Sequence, residues 1–273
     1  MNRRDFTEQA LAALPLSRVR LPADKLGKVG IQLYTVRDLL AKNFEGTLAT
    51  LRAAGYDEVE FAGYHKVPPK TVAGILARNG LTAPSAHVDT TDIRTRWQAT
   101  LDTAKEVGHK YLVLAYLDRG ERSSLASYRR VADDLNKAAL AAKAVGIEVA
   151  YHNHDFEFAP IEGKVPFDVF LAAMDRSLVK IELDLYWAAK GGVRPLDYFA
   201  KWPGRFPLVH VKDMSKSVNQ SMVDVGTGRI DFKRIFGQAK QAGIQHYYVE
   251  HDQPGDAIAF ARSAIAYLRK LEF

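Results

Sequence analysis

Four residues with metal-ligating side chains each follow a short apolar run in the second half of the sequence. They are His152, Asp184, His210 and Glu250, and enough chain for a helix separates each run from the next. If these runs are parallel strands of one barrel, their carboxyl ends meet at one mouth and the four side chains converge there. Two imidazoles and two carboxylates suit Mn²⁺, Zn²⁺, Co²⁺ or Mg²⁺. The sequence therefore predicts one bound divalent metal ion.

Each of these residues alone has an ordinary explanation, as a helix cap or a satisfied polar group. What favours a metal site is that four separate strands each end in a ligand type, for which packing gives no reason. Side chains alternate along a strand, so His152 and His154 point the same way. Either histidine could therefore be the ligand from the fifth strand.

Other polar residues lie at the predicted strand ends and could contact a substrate. These residues are Gln32, Tyr34, Glu60, His87, Trp187 and Lys212. Glu60 and His87 could equally make structural hydrogen bonds. His65, His109 and His246 are predicted to be surface or loop residues.

A glycine-containing loop, residues 224–231, follows the seventh predicted strand. Its Arg229 could meet an anionic or hydroxyl-rich ligand at the rim. Asp231 is better explained as the cap of the next helix. The loop lacks the GKS/T ending of a phosphate-binding loop.

From Lys28 onward, short β-rich runs alternate with helical patterns. The runs begin near residues 29, 58, 82, 111, 147, 179, 207 and 246. Glycines that could end the preceding helices stand a few residues before several of these runs, namely Gly55, Gly80, Gly108, Gly146 and Gly243. Eight such units predict α/β architecture as a single (β/α)₈ TIM barrel over residues 28–273.

Composition narrows the function classes. The chain has 273 residues, 47% of them apolar, which is enough for one large core. It has no cysteine, so disulfides, thiolate ligands and a cysteine nucleophile are excluded. The net charge is +6, but the basic residues are scattered among acids, which does not favour nucleic-acid binding. No apolar stretch is long enough to span a membrane.

Residues 1–27 are predicted to be an extension outside the barrel. The segment Asn2–Phe6 is similar to the start of a twin-arginine export signal. Its apolar segment is short and follows Glu8, which favours an amphipathic helix instead. A cytoplasmic location is expected, with twin-arginine export to the periplasm as the alternative.

The chain resembles the xylose isomerase-like TIM-barrel superfamily, in its sugar phosphate isomerase/epimerase branch, from about Lys28 to the C-terminus. The segments that carry the resemblance are 30–37, 55–60, 86–87, 151–154, 210–213, 225–231 and 249–250. In this family the resemblance implies one divalent ion held by Glu, Asp, His and Glu from strands five to eight. It assigns the last three positions to Asp184, His210 and Glu250. The first departs, because many relatives have Glu-Asn-His where this chain has His152-Asn-His154.

The resemblance implies a metal-dependent isomerase or epimerase that acts on a keto-sugar or sugar phosphate. Glu250 is the candidate base and His152 or His154 the partner acid, while Lys212 or Glu60 relays protons or holds hydroxyls. Inosose dehydratases have a similar histidine-rich fifth segment, so a lyase or dehydratase acting on an oxidised sugar or inositol is the first alternative. A non-catalytic sugar-binding barrel is the second, and an abasic-site endonuclease is disfavoured. The expected partner is a small sugar, without nucleic acid or membrane, and a homo-oligomer is left open.

Overall fold

Runs of β-branched, leucine and tyrosine residues form the strands of a computed structural model that describes residues 24–273. In chain order the strands are β1 Gly30–Gln32, β2 Glu58–Phe61, β3 Thr82–Val88, β4 Tyr111–Leu114, β5 Glu148–His152, β6 Val179–Asp184, β7 Leu208–Val211, β8 Asp213–Met214, β9 Met222–Val223 and β10 His246–Val249. All strands except β8 and β9 close into a parallel barrel, ordered β1-β10-β7-β6-β5-β4-β3-β2. β8 and β9 pair antiparallel outside it. The predicted (β/α)₈ barrel is confirmed.

Helices connect successive strands around the barrel. They are α1 Arg37–Lys42, α2 Phe44–Ala54, α3 Pro69–Asn79, α4 Thr90–Thr95, α5 Trp97–Val107, α6 Leu125–Lys143, α7 Pro166–Ala173, α8 Leu185–Lys190, α9 Pro195–Lys201, α10 Phe232–Phe236, α11 Ala239–Ala242 and α12 Ala257–Leu268. Two 3₁₀ turns, Leu33–Val36 and Phe156–Phe158, follow β1 and β5.

The barrel interior below the mouth is filled by a small core of its own. Tyr111, Val113, Ala150, Leu208 and Tyr248 form this cluster, separate from the larger core. Gly30 makes room for it, since a Cβ there would lie 2.4 Å from the Tyr248 ring. Only glycine lets the β1 backbone approach the ring so closely.

Of the three histidines predicted to be surface or loop residues, His65 is exposed and His109 lies in a loop, as predicted, whereas His246 lies in a strand. His109 is buried, with Nδ1 2.6 Å from the Ala83 carbonyl oxygen and Nε2 2.8 Å from the Tyr64 hydroxyl. Burial lowers the pKa of His109 to about 4, so the ring is neutral. His246 begins β10, and its Nδ1 lies 2.7 Å from Glu58 Oε2. This pair lies at the end of the barrel opposite the carboxyl ends of the strands.

The N-terminal predictions for residues 1–23 lie outside the described residues. Within the described part, Asp24 exchanges two backbone hydrogen bonds with Phe273, at 2.9 and 3.0 Å. Among residues 24–273, every helix is too short or too polar to cross a bilayer.

Candidate metal centre

The carboxyl ends of three neighbouring strands bring Asp184, His210 and Glu250 together. One ligating atom from each lies within 4.8 Å of the others. Asp184 ends β6, His210 lies in β7 and Glu250 directly follows β10. The fourth predicted ligand, His152, ends β5, and its Nε2 lies 3.8 Å from Asp184 Oδ2. All four residues, together termed the metal group, are buried, as expected of a site at the bottom of a barrel mouth.

Below this group lies a further carboxylate, that of Glu182, which was not among the predicted site residues. Glu182 Oε2 is 2.8 Å from His87 Nε2, 3.0 Å from His152 Nδ1 and 3.0 Å from His210 Nε2. Its signal was present in the sequence, because Glu182 stands two residues before Asp184 and thus on the same face of β6.

Glu182 decides which ring nitrogens face the metal group. Burial would lower the pKa of His210, but Glu182, Glu250 and Glu60 outweigh it and hold the pKa well above its usual value, so both ring nitrogens carry protons. Nε2 then points to Glu182 and Glu60, and Nδ1 donates to Glu250. Burial lowers the pKa of His152 to about 3, so a neutral ring that donates from Nδ1 to Glu182 leaves Nε2 as an acceptor. His152 Nε2 then faces Asp184, while His210 Nδ1 lies 2.6 Å from Glu250 Oε2 and 4.0 Å from Asp184 Oδ2. A carboxylate behind a ligating histidine commonly fixes its tautomer and orientation in this way.

Glu60 and Gln32 belong to the same buried layer rather than to the cavity surface. Glu60 Oε2 lies 2.6 Å from His210 Nε2 and accepts a 2.8 Å hydrogen bond from Gln32 Nε2. Ser85 Oγ donates to the other oxygen of Glu60. Burial and the nearby Glu182 raise the pKa of Glu60. The structure thus places Gln32 and Glu60, both predicted to contact a substrate, in the hydrogen-bond network that holds His210.

Lys212 is a buried cation beside the metal group. Its Nζ lies 2.7 Å from Glu250 Oε2, 2.8 Å from Asp252 Oδ1 and 3.1 Å from Asp184 Oδ2. Burial alone would lower the pKa of Lys212, but these carboxylates outweigh it and hold the pKa well above its usual value. Conversely, burial would raise the pKa of Glu250, but Lys212 and His210 hold it well below. Lys212 is therefore charged and Glu250 ionised at neutral pH.

The donor set fits a divalent cation. Among the described residues, Asp184 Oδ2 and Glu182 Oε1 are buried atoms without a hydrogen-bond partner. The Lys212 ammonium lies 3.1 Å from Asp184 Oδ2 as an ion pair, but it makes no hydrogen bond to that oxygen. A buried polar atom without a partner is costly unless a ligand satisfies it. Imidazole nitrogens and carboxylate oxygens are ligands that Zn²⁺ and Mn²⁺ accept. Two overlapping sets of side chains could hold a metal ion: Asp184, His210 and Glu250, and His87, His152, Glu182 and His210.

A cavity of about 660 Å³ opens above this group. Its lining includes several predicted site residues, namely Tyr34, His87, His152, His154, Lys212 and Glu250. The Trp187 ring lies beside them, 5.3 Å from the His154 ring. Arg229 lies elsewhere: its guanidinium contacts Met214 Sδ at 2.9 Å, and it lines a different surface groove with Val193. Asp231 caps α10, as expected, by accepting from the Arg234 backbone N–H at 3.0 Å.

A family model of the xylose isomerase-like TIM barrel matches residues 48–271. The chain belongs to this family. A solved sugar phosphate isomerase/epimerase from Parabacteroides distasonis is 27% identical, with a TM-score of 0.77, over 89% of this chain and 98% of that one. An inosose dehydratase from Lacticaseibacillus casei is 23% identical over 82% of this chain and 88% of its own. The solved IOLI protein with a bound zinc atom is 16% identical over 90% of this chain and 99% of its own, has a TM-score of 0.71, and shares the fold.

Replacing Glu182 of this xylose isomerase-like barrel by glutamine is expected to weaken metal binding about 10- to 100-fold, as for other carboxylates behind a ligating histidine. The reason is that His152 and His210 lose the charge that orients their rings. Calorimetric titration with Mn²⁺ or Zn²⁺ would measure the dissociation constants. Glu58→Gln is the matched control, because Glu58 is also a buried barrel glutamate bonded to a histidine. Equal affinities in the two variants would contradict this role of Glu182.

A second prediction for this family member concerns Glu157, which is buried behind His154. It accepts hydrogen bonds from the Tyr151 hydroxyl and, at 2.8 Å, from the His154 backbone N–H. Burial raises its pKa to about 8. Between about pH 4.5 and 8 the folded chain holds a proton that the unfolded chain releases, so this residue makes the free energy of unfolding fall as pH rises.

The expected change is a few kcal/mol over that window, since one pKa unit corresponds to about 1.4 kcal/mol. Glu157→Gln, which cannot ionise, should flatten this part of the pH dependence. Urea unfolding in a chelator at several pH values would measure it, with the exposed Glu162→Gln as control. An unchanged slope in Glu157→Gln would show that Glu157 is already ionised in the folded protein.

Proposed function

We propose that this protein is a divalent-metal-dependent isomerase or epimerase of a keto-sugar or sugar phosphate, which removes a proton next to the substrate carbonyl. The observation that carries the proposal is the position of Glu250. Its carboxylate belongs to the group that could hold the ion and also lines the cavity floor. A base in this position meets the substrate where the positive charge of the site is concentrated.

His152, Asp184, His210 and Glu250 would hold the ion. When bound, a divalent cation supplies positive charge that stabilises the negative charge developing on a substrate oxygen. The other buried residues keep this site in order: Glu182 and Glu60 orient His210, and Asn153 Oδ1 accepts the backbone N–H of Asp184 at 3.0 Å. Fixed ligands lower the reorganisation that the reaction would otherwise require.

Glu250 and His154 are the proposed proton carriers. Glu250 is ionised and can accept a proton, although its contacts with Lys212 and His210 weaken it as a base. If Lys212 Nζ turns to a substrate hydroxyl, Glu250 becomes a stronger base at the moment of reaction. Burial, then the nearby His152 and Lys212, lower the pKa of His154, so its ring is neutral. Its ring lines the cavity, and its buried Nδ1 has no hydrogen-bond partner among the described residues.

A metal-dependent dehydratase or lyase acting on a keto-sugar or keto-inositol is the second candidate. It is favoured by the similarity to an inosose dehydratase and by His152 in place of a fifth-strand glutamate. With a single cavity glutamate in the ligand group, a shuttle between two carboxylates is not available. Glu250 would still remove the proton and, once protonated, could deliver it to the departing oxygen, so that water or the free alcohol leaves.

Incubation of the metal-loaded protein with a panel of keto-sugars and keto-inositols in D₂O separates these functions. Deuterium next to the carbonyl, without loss of water or substituent, is the expected result. Loss of water or of a substituent would favour the lyase. Binding of a sugar without exchange or elimination across the whole panel would leave the non-catalytic barrel and overturn both catalytic proposals.

A further inference from the structure

Two large aromatic side chains stand exposed at the cavity rim. Tyr34 is 42% exposed and Tyr116 is 44% exposed, and both line the cavity above the metal group. The exposed surface of a folded protein carries single apolar residues without consequence. Here, however, both tyrosines face the same cavity, and both are held in place.

Tyr116 is fixed from three sides. Arg122 donates a 2.9 Å hydrogen bond to its hydroxyl. The His154 and Phe156 rings meet its ring edge-on, with centroid separations of 5.0 and 5.6 Å. Arg122 is itself held over the Phe156 ring at 3.7 Å. A ring kept in one orientation can bind a ligand at little entropic cost.

Tyr34 is held in a comparable way on the β1 side of the mouth. The Arg37 guanidinium lies 4.0 Å from the centre of its ring. The same guanidinium donates to the Tyr34 carbonyl at 2.7 Å and to the Asp252 carbonyl at 2.9 Å. The mouth therefore has a fixed aromatic ring after β1 and another after β4.

The cavity wall between these two rings includes residues with small side chains. After β2 it consists of the exposed Ala62 and Gly63. A second cavity of about 340 Å³ adjoins the first there and shares Gly63, His87 and Val88 with it. Such volumes accommodate ligands considerably larger than one hexose.

We infer that the rim between Tyr34 and Tyr116 is a subsite for a second sugar ring, so that the substrate is a glycosylated keto-sugar. This inference rests on the proposed function, because the first ring must bind at the metal group. The second ring lies over Gly63, with its C–H face on the Tyr116 ring. Aromatic side chains offer such a face together with a polar tip. Asp92, which follows β3 and lines the same part of the cavity, offers a carboxylate to the hydroxyls of the second ring, which favours a sugar over an apolar group.

The test compares two ketohexose ligands that differ only in the second ring: D-fructose and its galactosylated form, lactulose. Calorimetry on the metal-loaded protein is expected to give a dissociation constant for lactulose roughly five- to tenfold lower, the effect of one good aromatic contact. Tyr116→Ala should bring the ratio of the two constants close to one. Tyr116→Phe, which keeps the ring, should retain the preference. Leu140→Ala, an exposed apolar residue on α6, is the control and should also retain it.

Equal affinities in the wild-type protein, or a preference that survives Tyr116→Ala, would overturn the subsite and leave the proposed function standing. If neither ketose binds to the wild-type protein, the subsite fails together with a ketohexose as the reacting ring. Deuterium exchange into unsubstituted keto-sugars at full rate, with no gain from a second ring, would likewise count against the subsite alone.

Discussion

Glu250→Gln should lower the rate of proton exchange by roughly 10²- to 10⁴-fold, the usual contribution of a positioned base. The amide keeps a ligating oxygen but cannot accept the proton. It also leaves Lys212 and His210 without the carboxylate that lies 2.7 and 2.6 Å from them. Exchange of substrate deuterium measured at saturating metal would report the loss of the base apart from any loss of the ion.

Asp252→Asn is the matched control for this variant. Asp252 also binds Lys212, at 2.8 Å, yet it lies outside the group that could hold the ion. It should lose less than about tenfold, because only the support of Lys212 weakens. If Glu250→Gln keeps its exchange rate within tenfold of wild type, Glu250 is not the base and His154 becomes the first residue to test.

The second large effect concerns the metal itself. Purified wild-type protein is expected to carry close to one divalent ion per chain, and the double variant Asp184→Ala, His210→Ala less than about a tenth of that. Two of the four proposed ligands are then missing, including the imidazole that Glu182 and Glu60 orient. Elemental analysis after rapid desalting, with circular dichroism to confirm folding, makes the measurement.

A carboxylate–histidine pair at the opposite end of the barrel provides the comparison. Glu58→Ala with His246→Ala removes the same two chemical types from the barrel interior, where the two side chains are 2.7 Å apart. This control should keep its metal, even if it is less stable. Full metal occupancy in the Asp184, His210 variant would place the ion elsewhere in the protein.

The sequence predicted the barrel and the convergence of Asp184, His210 and Glu250 at its mouth because both depend on local, periodic signals. Alternating strands and helices imply parallel pairing, and parallel strands bring their carboxyl ends together. Glycine caps such as Gly55, with a φ of 112°, were visible from their place in the pattern. The breaks at Asn43, between α1 and α2, and at Arg96, between α4 and α5, were not visible, since neither is marked by glycine or proline. Asn43 does so by accepting the Gly46 backbone N–H at 3.0 Å.

The sequence could not show how far below the cavity floor each polar side chain lies. Gln32 and Glu60 are direct neighbours in the register of β1 and β2, which places both below the cavity floor. That register follows from the closure of all eight strands and has no local sequence signal. Tyr116 was missed for a related reason, because it lies in the loop after β4 and only the folded loops bring it against His154.

The Lys212 ammonium has a further consequence for how the protein keeps its ion. Because it already contacts Asp184 and Glu250, the two carboxylates are partly neutralised by the chain itself before any metal arrives. An incoming cation must share these carboxylates with the Lys212 ammonium. We therefore expect it to bind less tightly and to exchange faster than it would without this lysine. The same charge relieves the repulsion between the acids after the ion departs, so the barrel should survive demetallation and be ready to reload.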